Sequence, residues 1–81
     1  MSKQVSWQAF QETVASHLGF AKTDITETTH LFDTLGMDSL GVLSLGMKLH
    51  AIFRIRVPLS AVSQIATVGD MFRVMNEYAD K

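Results

Sequence analysis

Few residues in this chain have the chemistry of a reactive site, and the best placed of them is Ser39 in Leu35-Gly36-Met37-Asp38-Ser39-Leu40. A serine next to an aspartate, where a loop gives way to an apolar run, puts an exposed hydroxyl beside free backbone amides. There the helix dipole favours an anionic group such as a phosphate diester. The plainer reading is that Asp38 and Ser39 only cap the helix, since Asp and Ser are preferred capping residues. A Ser39-His50-Asp triad can be drawn, but eleven residues along one helix span about 16 Å, too far for a direct hydrogen bond. His17, His30 and His50 lack the two-histidine helical spacing of a metalloprotease, and no acidic cluster marks a metal cage. No metal ligands and no catalytic residues are therefore expected. With no cysteine, the chain has no disulfide, zinc-thiolate site or cysteine nucleophile, so any thiol must come from outside the polypeptide.

The elements that must position Ser39 are helical. The chain has 81 residues, 47% hydrophobic and 19% charged, which fits one small folded domain over residues 1–81 and excludes a two-domain enzyme. One proline and five glycines leave few forced breaks, and no run of alternating strand residues occurs. The first helix carries Trp7, Phe10, Val14 and Leu18 on one face, with Ser6 or Ser2 as its cap and Gly19 as its end. From Phe20 to Met37 a Thr- and Asp-rich stretch reads as a long loop anchored by Leu31, Phe32 and Leu35. The second helix runs from Asp38-Ser39 to Phe53. At about 100° per residue, Val42, Leu45, Leu49, Ile52 and Phe53 form one apolar stripe and Leu40, Leu43 and Met47 a second. A bundle helix needs one stripe for its core, so the second is a candidate partner contact, with core packing as its alternative. Gly41 and Gly46 within this helix are unexplained by the sequence. Pro58 forces a turn, a short helix is expected over Ser60 to Ile65, and Thr67-Val68-Gly69-Asp70 has capping-box spacing. Val68, Met71, Phe72, Met75 and Tyr78 then share a face of the last helix, and the five methionines read as gap fillers in the core.

A formal net charge of −1 gives no bulk reason to bind nucleic acid. No segment approaches the length of a membrane span and no signal-peptide run opens the chain, so a soluble cytoplasmic monomer is the default expectation.

Over nearly its whole length the sequence resembles the acyl carrier protein family, including the related peptidyl carriers. The resemblance lies in Asp38-Ser39-Leu40 preceded by Leu35-Gly36, the apolar spacing through Leu49 and Phe53, the Val57-Pro58 turn and Thr67-Val68-Gly69-Asp70. It implies an all-α four-helix bundle with a short third helix and a 4′-phosphopantetheine arm on Ser39, with Asp38 supporting the helix start. The arm would supply the missing thiol, and biosynthetic intermediates would ride on it as thioesters. The chain itself would catalyse nothing. A separate phosphopantetheinyl transferase would load it, and acyl-loading and condensing or tailoring enzymes would meet Leu40, Leu43 and Met47.

One departure bears on those partners. Carriers of primary fatty acid synthesis typically have an acidic second helix, whereas residues 39–66 here hold Lys48, Arg54 and Arg56 with no Asp or Glu, a segment charge of +3. Residues 1–38 carry −3. Gly41 and Ser44 stand where the family often has acids. Charge complementarity steers encounter and excludes wrong partners, so a specialised polyketide or nonribosomal peptide pathway is expected. The Gly36-Met37-Asp38-Ser39-Leu40 string favours the polyketide type. The competing expectation is a carrier-fold interaction module that is never modified.

Overall fold

Helix α1 (Trp7–Leu18) starts where the Ser6 hydroxyl accepts a hydrogen bond from the Ala9 N–H at 3.2 Å, and it stops where Gly19 takes a left-handed conformation at φ 78°. These are local events that the sequence dictates, because serine satisfies an otherwise orphaned amide and glycine has no Cβ penalty at positive φ. A computed structural model describes residues 4–79, so Ser2, the alternative cap, lies outside the described residues. Phe10 and Val14 are fully buried, with Trp7 and Leu18 half-buried beside them.

The last helix, α4 (Val68–Glu77), returns to pack on the first. Trp7, Phe10 and Phe72 form a cluster with ring centroids 5.3–5.8 Å apart, and the Asn76 amide clamps Val5 by accepting from its N–H at 2.8 Å and donating to its carbonyl at 3.3 Å. Val68, Met71 and Met75 face the core as the spacing predicts, joined by Val74. Phe72 and Tyr78 are half-buried.

The stretch from Phe20 to Met37 is more ordered than a loop held by three side chains. It contains a 3-10 turn at Lys22–Asp24, and the Gln11 side-chain amide pins it to α1 by donating to the carbonyls of Lys22 at 3.0 Å and Ile25 at 2.7 Å. Its anchors are Ile25 and Leu31, both fully buried, with Leu35 half-buried. Phe32 is not an anchor: it is 40% exposed, because the turn after His30 rotates it outward just as Leu31 turns in.

Helix α2 (Ser39–Phe53) buries Val42, Leu45 and Leu49, the centre of the first stripe. Ile52 departs from the expected core and is 48% exposed, since its position lies at the edge of the buried arc, near the end of the helix where cover runs out. Phe53 is half-buried. The third helix, α3, spans Leu59–Val62 rather than Ser60 to Ile65. Pro58, extended at φ −67° and ψ 148°, starts it one residue early by offering its carbonyl to the Ala61 N–H at 3.0 Å. Successive three-residue bonds, from Gln64 to Ala61 and from Ile65 to Val62, then tighten it into a turn. Ile65 is still buried. Among the described residues the fold is thus all-α, with four α-helices of which the third is short, as the sequence predicts.

Candidate functional site

The approach to Ser39 is set by a bent loop. Gly36 sits at φ 68°, and the Met37 N–H donates to the Leu31 carbonyl at 3.0 Å, which turns the chain into α2. Asp38 is extended, and its carboxylate accepts from the Gly41 N–H at 2.7 Å. Asp38 alone is therefore the cap. Ser39, the first helical residue, is exposed, and its hydroxyl has no hydrogen-bond partner among the described residues. The N–H groups of Ser39 and Leu40 likewise meet no acceptor among the described residues. The purely structural reading of Ser39 as a cap thus finds no support, while the reading of an available hydroxyl at the positive end of a helix does.

No hydrogen bond joins the Ser39 hydroxyl to a base among the described residues. The Asp38 carboxylate is committed to Gly41, and His50 lies in the last turn of α2. A phosphate diester on the Ser39 oxygen fits the surroundings, because the two open amides and the helix dipole favour an anion there. At Gly41 a Cβ would stand 3.3 Å from the Asp38 carboxylate oxygen, a tight contact with the cap, and 3.5 Å from the Met37 methyl carbon, an ordinary one.

Leu40, Leu43 and Met47 are 74%, 40% and 67% exposed, so the second stripe does not serve the core. Met47 is therefore no gap filler, unlike the buried Met71 and Met75, and Met37 is half-buried. Beside the stripe opens an apolar cavity of about 180 Å³, walled by Leu43, Met47, Val62 and Met75 and bordered by the exposed His50 and Arg56. Sequence reading missed it. The available signal was Met71 and Met75 one turn apart on α4, flexible side chains well suited to lining an adaptable space. Gly46 also lines the cavity, and no atom stands within 4 Å of where its Cβ would be.

The histidines are not brought together. His17 and His50 are exposed, and the half-buried His30 places Nδ1 3.7 Å from an Asp33 carboxylate oxygen. Among the described residues no group of three or more His, Cys, Asp or Glu could hold a metal ion, and no helix is long and apolar enough to cross a membrane. Compared with known protein families, the chain matches the phosphopantetheine attachment site family over residues 8–74, which takes in α2, α3, all of α1 but its first residue and most of α4.

Proposed function

Because the chain belongs to the family of carriers that bear 4′-phosphopantetheine and catalyse nothing themselves, we propose that Ser39 is the residue that bears the arm. The observation that carries this is the exposed Ser39 hydroxyl, relieved of capping by Asp38 and flanked by two open amides. In loading, a transferase takes the hydroxyl proton. The Ser39 oxygen bonds to the phosphorus that carries the pantetheine arm of coenzyme A, the pyrophosphate bond breaks, and the nucleotide half leaves. Asp38 fixes the start of α2 so that the hydroxyl is presented at one place. The bound arm supplies the thiol that forms thioesters with the cargo.

Residues 1–81 act on this reading as one discrete carrier domain, with Leu40, Leu43 and Met47 as the face presented to the transferase and to acyl-loading and condensing or tailoring enzymes. The absence of acids from residues 39–66 supports a specialised polyketide or nonribosomal peptide pathway over primary fatty acid synthesis. The cavity beside α2 supports a short apolar cargo. Its volume is close to that of engineered apolar cavities of about 150 Å³ that accept benzene.

The test is intact-protein mass after incubation with coenzyme A, magnesium and a broad-specificity phosphopantetheinyl transferase, with Ser39→Ala alongside. One phosphopantetheinyl mass gain is expected in the parent and none in the variant. A gain that survives Ser39→Ala moves the arm to another residue. No gain with transferases of different specificity, in a folded sample, points instead to an unmodified interaction module.

A further inference from the structure

The described residues include five lysines and arginines, and their side chains fall into two sets. Lys22 pairs with Glu12 at 3.2 Å and Arg73 with Asp70 at 3.0 Å, and Glu12 shares a surface pocket with Lys48 and Ile52 of α2. Lys48, Arg54 and Arg56 are exposed and have no ion-pair partner among the described residues. All three lie on α2 or just after it, in a segment that contains no acid. On the helical wheel Leu40, Leu43, Met47 and Ala51 line up along the exposed face, with Lys48 on one flank and His50 on the other. Arg54 closes the far end and Arg56 borders the cavity. The apolar ridge thus has Lys48, Arg54 and Arg56 as the cations at its border.

Arg54 adds an independent observation. It is the C-cap of α2 and the only non-glycine residue at positive φ among the described residues, at φ 61°, with its N–H bonded to the His50 carbonyl at 2.9 Å. Glycine favours this conformation because a Cβ meets the carbonyl in it. The α1 terminus uses glycine at the equivalent place. The Arg54 guanidinium has no hydrogen-bond or ion-pair partner among the described residues, so no polar contact there accounts for an arginine at this cap.

We propose that α2 docks a protein surface whose apolar groove is bordered by carboxylates, and that Arg54 is a specificity-determining residue held in the left-handed C-cap to meet that border. This rests on the reading of the Leu40, Leu43 and Met47 face as the docking face. A partner with carboxylates confined to one groove matches a chain whose local +3 segment accompanies a −3 segment at residues 1–38, whereas a uniformly anionic membrane or nucleic acid would be repelled by the rest of the molecule.

The experiment measures affinity with the Ser39→Ala chain, so that binding is read without modification. The probes are a phosphopantetheinyl transferase with carboxylates bordering its carrier groove and a counterpart in which those carboxylates are replaced by lysines. The chain is expected to bind the first about tenfold more tightly at low salt, with the contrast shrinking as salt rises. Arg54→Glu with Arg56→Glu is expected to invert the preference. Arg54→Gly is expected to weaken binding to the first probe several-fold while raising the thermal midpoint by a few degrees, and Arg54→Lys to retain binding. Equal affinity for the two probes, no binding to either, tighter binding to vesicles of anionic lipid, or an Arg54→Gly chain that melts lower or binds unchanged overturns the proposal. If Leu43→Ala and Met47→Ala weaken binding while the charge variants do not, the docking face stands and its electrostatic preference falls. If neither set matters, the docking reading falls as well.

Discussion

Helices α2 and α4 both begin after an extended residue whose side chain caps the first turn, Asp38 in one and Thr67 in the other. At α4 every early amide has an acceptor. Val68 donates to the Thr29 carbonyl at 2.9 Å, Gly69 to Glu27 at 2.9 Å and Asp70 to the Thr67 hydroxyl at 3.1 Å. The Asp70 carboxylate returns the contact by accepting from the N–H groups of Ala66 and Thr67, both at 3.1 Å. At α2 the residue in the Asp70 position is Gly41, which has no side chain to return, and the amides of Ser39 and Leu40 meet no acceptor among the described residues. The same residue chemistry is closed into structure at one helix start and left accessible at the other. The difference is made by the loop of residues 20–37, whose carbonyls cover α4 while its end only leads into α2.

The largest test of that contrast is at Gly69. A Cβ there would stand 2.6 Å from the Glu27 carbonyl oxygen, a backbone atom that cannot swing aside. Gly69→Ala is expected to cost about 1–3 kcal/mol in urea unfolding by forcing the loop off α4. Ser39→Ala, which removes an exposed hydroxyl with no hydrogen-bond partner among the described residues, should stay within about 0.5 kcal/mol of the parent. A Ser39→Ala loss as large as that of Gly69→Ala would mean that the α2 start is as closed as the α4 start.

Next in size is the cap itself. Thr67→Ala is expected to cost about 1–2 kcal/mol, because it removes one half of a reciprocal pair, and Asp38→Ala about 1 kcal/mol, because its cap stands alone. Both can be read from denaturant midpoints at constant m. A larger loss for Asp38→Ala would show that the α2 cap carries more structure than its single 2.7 Å hydrogen bond accounts for.

What the sequence revealed of this contrast follows how local each cause is. Ser6, Gly19, Asp38 and the Thr67-Asp70 pair were legible because a cap is decided within four residues. The 20–37 segment was not, since it has no period from which to read burial. Nothing in the pattern marks Ile25 as an anchor, and Phe32, apolar beside Leu31, is turned outward by the backbone. Ser39 was legible as a candidate. That its hydroxyl and two amides meet no partner depends on which segments do not come near, and no pattern within the chain encodes that. The cavity beside α2 and the left-handed Arg54 were hidden for the same reason, being products of how α2, α3 and α4 meet and end.

A smaller effect separates the two faces of α2. Gly46 has open space where a Cβ would sit and an ordinary helical backbone. Gly46→Ala is expected to raise stability by up to about 1 kcal/mol, the helix-propensity difference, which is about 4–8 °C in a domain of this size. The methyl group projects beside the cavity, so the sharper readout is cargo: protection of a bound acyl thioester from hydrolysis should fall while the melting point rises. A variant that gains stability and keeps that protection would place the cargo outside the cavity.

The smallest effect is the acid limb of stability, and it concerns the closed start alone. The backbone N–H groups of Thr67 and Ala66 and the Arg73 guanidinium hold the Asp70 carboxyl below its ordinary value, because each interaction favours the charged form. A carboxyl with a lower pKa folded than unfolded contributes stability that is fully present above its unfolded value and is lost as pH falls through the folded one. The α4 cap should therefore loosen only below the ordinary aspartate range. Asp70→Asn, which keeps an acceptor oxygen but no charge, should melt below the parent at neutral pH, with the gap narrowing as the solution is acidified. A gap that stays constant into that range would mean that the Asp70 charge does not close the α4 start, leaving Thr67 and the close approach at Gly69 to account for its difference from the open start at Ser39.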